Sequence, residues 1–386
     1  MVELTNLARA DKLRALAEAT ARAALKAAPD AREELLEASN TLSSLAHTSE
    51  LRIKKQEEPV KILPSNATRD ELTSARSRQA TRRGAETYLP TLSDVAQVLP
   101  NALLRCALFS SSRKVPKLND QVLSGDTSLM VVNKTIASFN NVTVTLNGYE
   151  LYQFDRIVYA TCLDYYRERP LSPEMENKHV GTTFYEFAKR MGRSYSVRLH
   201  GSIRASLLRL SFAQLRIRRD RLNLEVPKFL SVSFEDSEQD AEASVIACAP
   251  LGSDRLWLRV SESVAELFGP GAWTTLERKA MDYSGLQGWL ASFYATHQGP
   301  LWLSVKKLHE MSGYESRFSN FRKGLCDALD KLKADDTPPS CRIAEYHFSN
   351  DGAKIQVHRV SWKSELEQAN PSIVQVLMRQ PAAKKR

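Results

Sequence analysis

One order of elements is legible twice in this chain of 386 residues: a helix, a short helix, a tight turn, a longer helix and then alternating strands. In the first copy "YQFDRIVYATCLDYYRER" repeats apolar residues at helical spacing and stops before Pro170, where the residue ahead of a proline disfavours helix. "TTFYEFAKRMG" predicts a short helix capped by Thr182 or Thr183 and closed by Gly192. A longer helix from Val197 to Leu210 keeps Leu199, Ile203, Leu207 and Leu210 within about 80° of one another. "AQLRIR" and "FLSVSF" then alternate apolar and polar residues around the loop "RDRLNLEVPK", which predicts a two-stranded ribbon. Ahead of this copy, "VTVTLNGYEL" reads as a hairpin turning at Asn147-Gly148.

The second copy shares the order without the residues. "SGLQGWLASFYATHQ" and "LSVKKLHEMSGY", ending near Gly313, lead to the helix Arg317 to Leu332, striped by Phe318, Phe321, Leu325, Leu329 and Leu332. "RIAEYHF" and "KIQVHRV" flank Asn350-Asp351-Gly352 as a second ribbon. The fold class expected is α+β: two tandem winged-helix domains, each a helix-turn-helix plus β-ribbon, at residues 91–240 and 241–362, behind an α-helical N-terminal extension.

Aromatic residues set that extension apart. None of the 30 Phe, Trp and Tyr precedes Tyr88, so the first 87 residues lack the bulk of an ordinary core. Within residues 1–58, the Ala-rich stretch Leu4 to Ala27 and the spaced Leu35, Ala38, Leu42 and Leu45 predict two helices broken at Pro29-Asp30. Residues 59–90 are polar and aperiodic, the composition of a flexible linker, and residues 363–386 form a polar C-terminal tail ending "AAKKR". No apolar run approaches the about 18 residues of a membrane span, and the N-terminus lacks a secretory signal, so a cytoplasmic protein without membrane contact is expected. Five cysteines, scattered and never C-x-x-C, fit reduced thiols rather than disulfides or a zinc site.

Charge then points to a partner. Lys189 to Arg221 holds ten basic residues and one acid, Asp220, a net charge equal to the +9 of the whole chain. Charge confined to one helix-turn-helix and its ribbon fits double-stranded DNA, because the second helix of that motif enters the major groove and arginines there pair with guanine edges. The candidate contacts are Arg193, Ser194, Tyr195 and Ser196 at the helix start, Arg198, His200, Ser202, Arg204 and Arg209 off its apolar stripe, and Arg216, Arg218, Arg219 and Arg221 on the ribbon as phosphate grips. In the second long helix Arg317, Asn320, Lys323 and Lys331 face outward, diluted by Asp327 and Asp330. Catalytic motifs are absent: no phosphate loop, no G-x-G-x-x-G, no H-E-x-x-H and no paired histidines. No enzyme activity, cofactor or metal is expected.

"LPNALLRCALFSSSRKVP", "VTVTLNGYEL", "TFYEFAKRMG", the helix to Leu210, "VAELF" and "SGYESRFSNFRKGLCDAL" together resemble the TrfA-type plasmid replication initiators, from about Leu99 through the second ribbon. The resemblance implies a bacterial plasmid protein with two winged helices that binds direct repeats (iterons) at the origin. It further implies help in opening the adjacent duplex, admission of the host replicative helicase with host initiator proteins, and copy control through monomer and dimer forms. The family's sliding-clamp peptide, glutamine-led and phenylalanine-ended, has no match in "TLSDVAQ", Thr91 to Gln97, which counts against a clamp contact. A sequence-specific winged-helix transcription regulator would use the same basic helix without any helicase-loading extension.

Overall fold

The computed structural model describes residues 14–24, 39–40, 43, 59–90, 96–112, 115–139, 142–171, 179–219, 222–226, 228–235, 250–297 and 299–360. Residues 14–24 are helical, with Ala17 and Ala24 buried, and Ser39 Oγ donates to the Ala17 carbonyl at 2.9 Å. The rest of the N-terminal extension and the C-terminal tail lie outside the described residues.

Residues 59–90 are not the linker expected. They form β1 (Val60–Leu63), α1 (Arg69–Arg76), β2 (Ala80–Arg83) and β3 (Glu86–Tyr88), a three-stranded sheet in the order β1-β2-β3. Strands of three or four residues are too short to show alternation; the layer is tied to distant chain by polar contacts and by Ala80 and Leu89, which join the main apolar core. Ala80 N–H donates to the Phe268 carbonyl at 2.9 Å, Thr87 Oγ1 to Glu262 at 2.6 Å, and buried Arg76 to the Leu89 carbonyl at 2.9 Å. A capping box starts α1: Glu71 N–H donates to Thr68 Oγ1 at 3.3 Å, and Thr68 N–H to Glu71 Oε2 at 2.8 Å.

The chain continues through β4 (Ala96–Pro100), α2 (Asn101–Leu104), β5 (Phe109–Ser110), α3 (Val115–Leu123), β6 (Val131–Ile136), β7 (Val142–Gly148), β8 (Leu151–Tyr152) and α4 (Gln153–Asp164). Asn147-Gly148 is not a hairpin turn. β7 pairs with β6, β8 pairs in parallel with β5, and Gly148, at φ 117°, lets the chain pass Phe212, whose carbonyl oxygen an added Cβ would meet at 2.4 Å.

The first copy of the repeated order is α4, β9 (Val180–Thr183), α5 (Phe184–Arg190), α6 (Val197–Phe212), β10 (Gln214–Arg219), β11 (Leu222–Val226), β12 (Leu230–Glu235) and β13 (Arg255–Val260). Here the expected ribbon is corrected. β10 turns directly into β11, and both join β7 and β6 in a sheet of order β11-β10-β7-β6. "FLSVSF" supplies β12, which pairs with β13 in a sheet of order β12-β13-β9. Pairing across a two-residue connection is the lower-entropy choice for β10, and Leu222, Leu224 and Val226 carry the alternation that makes β11 a strand rather than a loop.

β14 (Trp273–Glu277) pairs with β4 and precedes α7 (Arg278–Met281). The second copy is α8 (Gly285–Ala295), β15 (Trp302–Ser304), α9 (Val305–Ser312), α10 (Phe318–Leu332), β16 (Ile343–Phe348) and β17 (Lys354–Arg359), with sheet order β15-β17-β16. Removing the β10–β11 hairpin makes the two copies equivalent: a strand, two helices, then two antiparallel strands, of which the last pairs with the first. Two apolar cores follow the chain. One runs from Ala80 to Met281, and the other joins Phe139 to residues between Ala280 and Val357. The expected domain boundary between residues 240 and 241 therefore falls inside the β12–β13 pair, and the cores divide near Met281 instead. The architecture is mixed α+β with small sheets.

Candidate nucleic-acid interface

The helix-turn-helix of the first copy is set by local chemistry. Thr183 caps α5, accepting from Glu186 N–H at 3.2 Å; Gly192 closes it at φ 81°; Ser196 caps α6, accepting from Leu199 N–H at 3.2 Å. Ile203, Leu207 and Leu210 are fully buried, as their stripe requires. The buried arc is wider than that stripe, because α6 packs against α3, α4 and β12 together.

Two candidate contacts disappear into that arc. His200 is 1% exposed, its ring stacked on Phe184 at 3.6 Å with Nδ1 3.2 Å from Tyr195 Oη. Arg209 is fully buried and paired with Asp155 at 2.7 Å, while Nη1 donates to Asn119 Oδ1 at 2.7 Å. Asp155 also accepts from Ser206 Oγ at 2.6 Å and Tyr152 N–H at 2.8 Å. These donors satisfy a charge that burial would otherwise penalise. His200 and Arg209 hold the helix in place and do not face outward as expected.

On the outer side Ser194, Ser196 and Arg198 are exposed, and an added Cβ on Gly201 would meet nothing within 4 Å. Arg193, Tyr195, Ser202 and Arg204 are half-buried. Arg193 pairs with Asp282 at 3.0 Å, Tyr195 Oη donates to the Pro250 carbonyl at 3.1 Å, Ser202 Oγ to the Arg198 carbonyl at 3.0 Å, and the Arg204 guanidinium lies 4.6 Å from the Phe234 ring centre. The outer edge of α6 is thus its first two turns.

α10 places its candidates differently. Arg317, Asn320, Lys323 and Lys331 are all exposed, along with Ser319 and Arg322, while Phe321, Leu325, Leu329 and Leu332 are buried. Phe318 departs from the expected stripe and is 48% exposed, its ring 5.7 Å from His309. Arg317, Asn320 and Lys323 follow one another at three-residue steps, a single outward face at the start of the helix. Lys331 stands apart at the other end, lining an open cleft of about 410 Å³ with Ser111, Ser112, Glu315 and Asp327.

The arginines of β10 lie on the four-stranded sheet, not on a ribbon beside α6's own three-stranded sheet. Gln214, Arg216 and Arg218 are exposed while Leu215 and Ile217 are buried. Arg216 and Arg218 stand opposite Thr145 and Thr143 of β7, and the Arg216 charge is paired with Glu225 of β11 at 2.9 Å. The Arg219 side chain and all of Arg221 lie outside the described residues. Sequence reasoning missed this polar face, though the threonines of "VTVTLN" carried its signal. It also missed "RLWLRV", β13, whose Leu256, Leu258 and Val260 alternate inward.

Among the described residues no cluster of His, Cys, Asp and Glu could hold a metal ion, and no helix is long and apolar enough to cross a membrane. Cys106, Cys162 and Cys341 are buried free thiols and Cys326 is a half-buried one.

Each of the two long helices begins in exposed basic and polar residues. The profile of the family described as TrfA protein matches residues 86–345. The chain belongs to the TrfA family of plasmid replication initiators. Among solved structures, a crystal structure of RctB domains 2–3 is similar at 13% identity and a TM-score of 0.35, covering 61% of this chain and 92% of that one. A selenomethionine form of RctB domains 2 and 3 gives 13% and 0.35, with 59% and 88% covered. A comparison with curated proteins finds no match.

Proposed function

We propose that this initiator binds direct repeats, iterons, at its plasmid origin as a monomer, setting α6 and α10 into successive major grooves as the recognition helices of two winged helices. The observation that carries the reading is the equivalence of the two copies, each presenting the exposed start of its long helix: Ser194, Ser196 and Arg198 on one, Arg317, Asn320 and Lys323 on the other. Two different helices in one chain suit an asymmetric site, since operator palindromy mirrors two identical helices in a dimer. Contacts one turn apart would give a footprint of about 20 base pairs. β10 then serves as a phosphate contact through Arg218.

In the same reading, binding to tandem repeats promotes opening of the adjacent duplex and admission of the host replicative helicase with host initiator proteins. The N-terminal extension serves that recruitment, and a monomer–dimer balance adjusts copy number. None of these steps needs a catalytic centre in this chain, and the protein works in the bacterial cytoplasm, where plasmid DNA lies. The test is to place candidate origin DNA and this gene on a circle that cannot otherwise replicate. Maintenance is expected; a protein that only regulates transcription would bind the repeats and lose the circle. Deleting residues 1–58 should leave footprints intact and weaken capture of the helicase.

A further inference from the structure

Each turn that precedes a long helix is held by residues distant in the sequence. Before α6, Arg278 Nη1 donates to the Arg190 carbonyl at 2.9 Å, and Arg193 Nη2 meets Asp282 Oδ1 at 3.0 Å. Arg278 and Asp282 both belong to the segment leading into α8. Before α10, Ser111 N–H donates to the Ser312 carbonyl at 2.9 Å, Ser110 Oγ to the Gly313 carbonyl at 3.0 Å, and Ser112 Oγ to Glu315 Oε1 at 2.5 Å. These serines extend from β5. Gly313 sits at φ 60°, and an added Cβ would come within 2.6 Å of Ser110 Oγ, so the approach leaves no slack.

Arg156 of α4 is 1% exposed. Its Nη1 donates to the Gly288 carbonyl at 2.8 Å and to Ser292 Oγ, and its Nη2 to the Met281 carbonyl at 3.1 Å. Every one of these acceptors lies on the chain between Met281 and Ser292, the entry to and body of α8. Burial lowers the Arg156 pKa to about 10. A guanidinium is a planar fork of five donors, so acceptors on both of its terminal nitrogens define a direction as well as a distance. Apolar packing by itself would let α4 and α8 slide or rotate at small cost; a buried charge whose hydrogen bonds must all be kept does not.

We infer that Arg156 is a positioning residue for DNA reading: by locking α4 to α8 it fixes the distance and rotational phase between α6 and α10, so that the chain accepts its two half-sites at one spacing only. This rests on the reading that both helices contact a single site. Inserting one base pair moves a half-site by about 3.4 Å along the axis and about 35° around it. A rigid pair of helices cannot follow both displacements, whereas a loosened pair can.

The test uses duplexes selected by the full-length wild-type chain from a randomised pool, and the same duplexes with one or two base pairs inserted between the protected halves. Binding is read by fluorescence anisotropy. The wild type should lose about tenfold in affinity on the first insertion, comparable to a mismatched base pair. Arg156→Met should bind the parent and one-insert duplexes within about threefold of each other, and Arg156→Lys, with one ammonium for several acceptors, should fall between. A folded Arg156→Met chain that keeps the wild-type penalty overturns the inference. Should that variant fail to melt cooperatively, Arg278→Gln combined with Ser110→Ala removes one bond at each turn from less buried side chains; a flattened spacing profile supports the clasp and an unchanged one overturns it. A wild type that ignores insertions, or protects only one half, brings down the two-helix reading itself, and the spacing role with it.

Discussion

The two copies of the repeated order differ most in how their long helices are packed. α6 is wedged between α3, α4 and β12, so its flanks are buried as well as its stripe, and three of its polar residues, His200, Ser206 and Arg209, face inside, two of them candidate contacts. α10 packs on α8 and α9 from one side, and all four of its candidate contacts are exposed. The helix richer in arginine thus offers less outward charge than its count suggests, and the helix diluted by Asp327 and Asp330 offers all it has. Basic content of a segment measures what it could present; the neighbours of the helix decide what it does present.

The sharpest way to break this comparison is to remove the buried charge on the long helix of the first copy, Arg209; among the described residues α10 buries none. Arg209→Ala leaves Asp155 buried without its partner and should destabilise by about 3–5 kcal/mol in urea unfolding, whereas Arg317→Ala on the exposed start of α10 should change stability by no more than about 0.5 kcal/mol. Equal effects would mean that α6 is not wedged as described.

Next in size is the loss on DNA. Arg198→Ala and Lys323→Ala should each cost about 1–3 kcal/mol on the repeat if they read bases, with much less lost on random duplex. In footprints they should weaken opposite ends of one repeat. Loss at the same end in both variants would contradict two helices in successive grooves.

His297, at the end of α8, tests the second core alone. Burial, with the nearby Arg105 charge, lowers its pKa to about 3. Its unfolded value is near 6.5, so the neutral ring's contribution is complete above that pH and is lost as pH falls from about 6.5 toward 3, by up to about 1.4 kcal/mol per pH unit. Replacing it with Phe should remove that slope from urea titrations between pH 6 and about 4; an unchanged slope would place the acid sensitivity elsewhere.

The smallest effect separates two arginines on one strand. Arg218 makes no ion pair among the described residues, and Arg216 is matched by Glu225. Arg218→Ala should reduce the slope of log K against log salt by about 0.9, one phosphate's worth, and Arg216→Ala by less. A steeper loss from Arg216 would show that DNA displaces Glu225.

The helices of the two copies and most of their ends were legible because their signals are local. Thr183, Gly192 and Ser196 sit where caps are needed, and the stripes of α6 and α10 lie within a few turns of chain. The order of elements, its repetition and the family resemblance all followed from such short-range patterns. Strand partners and outward faces did not. β12 finds β13 only across residues 236–254, β10 is claimed by β7 from far upstream, and residues 59–90 are placed against Phe268 and Glu262. Arg209 looks like a DNA contact until Asp155, 54 residues earlier, is brought beside it. The sequence by itself determined the helices of the repeated order and that this order occurs twice, since periodicity and capping act between residues a few positions apart; it did not show the helix Arg69–Arg76 inside the expected linker. Only the tertiary structure decided which charges face out, because burial depends on elements distant in the chain, and pairing a buried charge is a matter of three-dimensional neighbours.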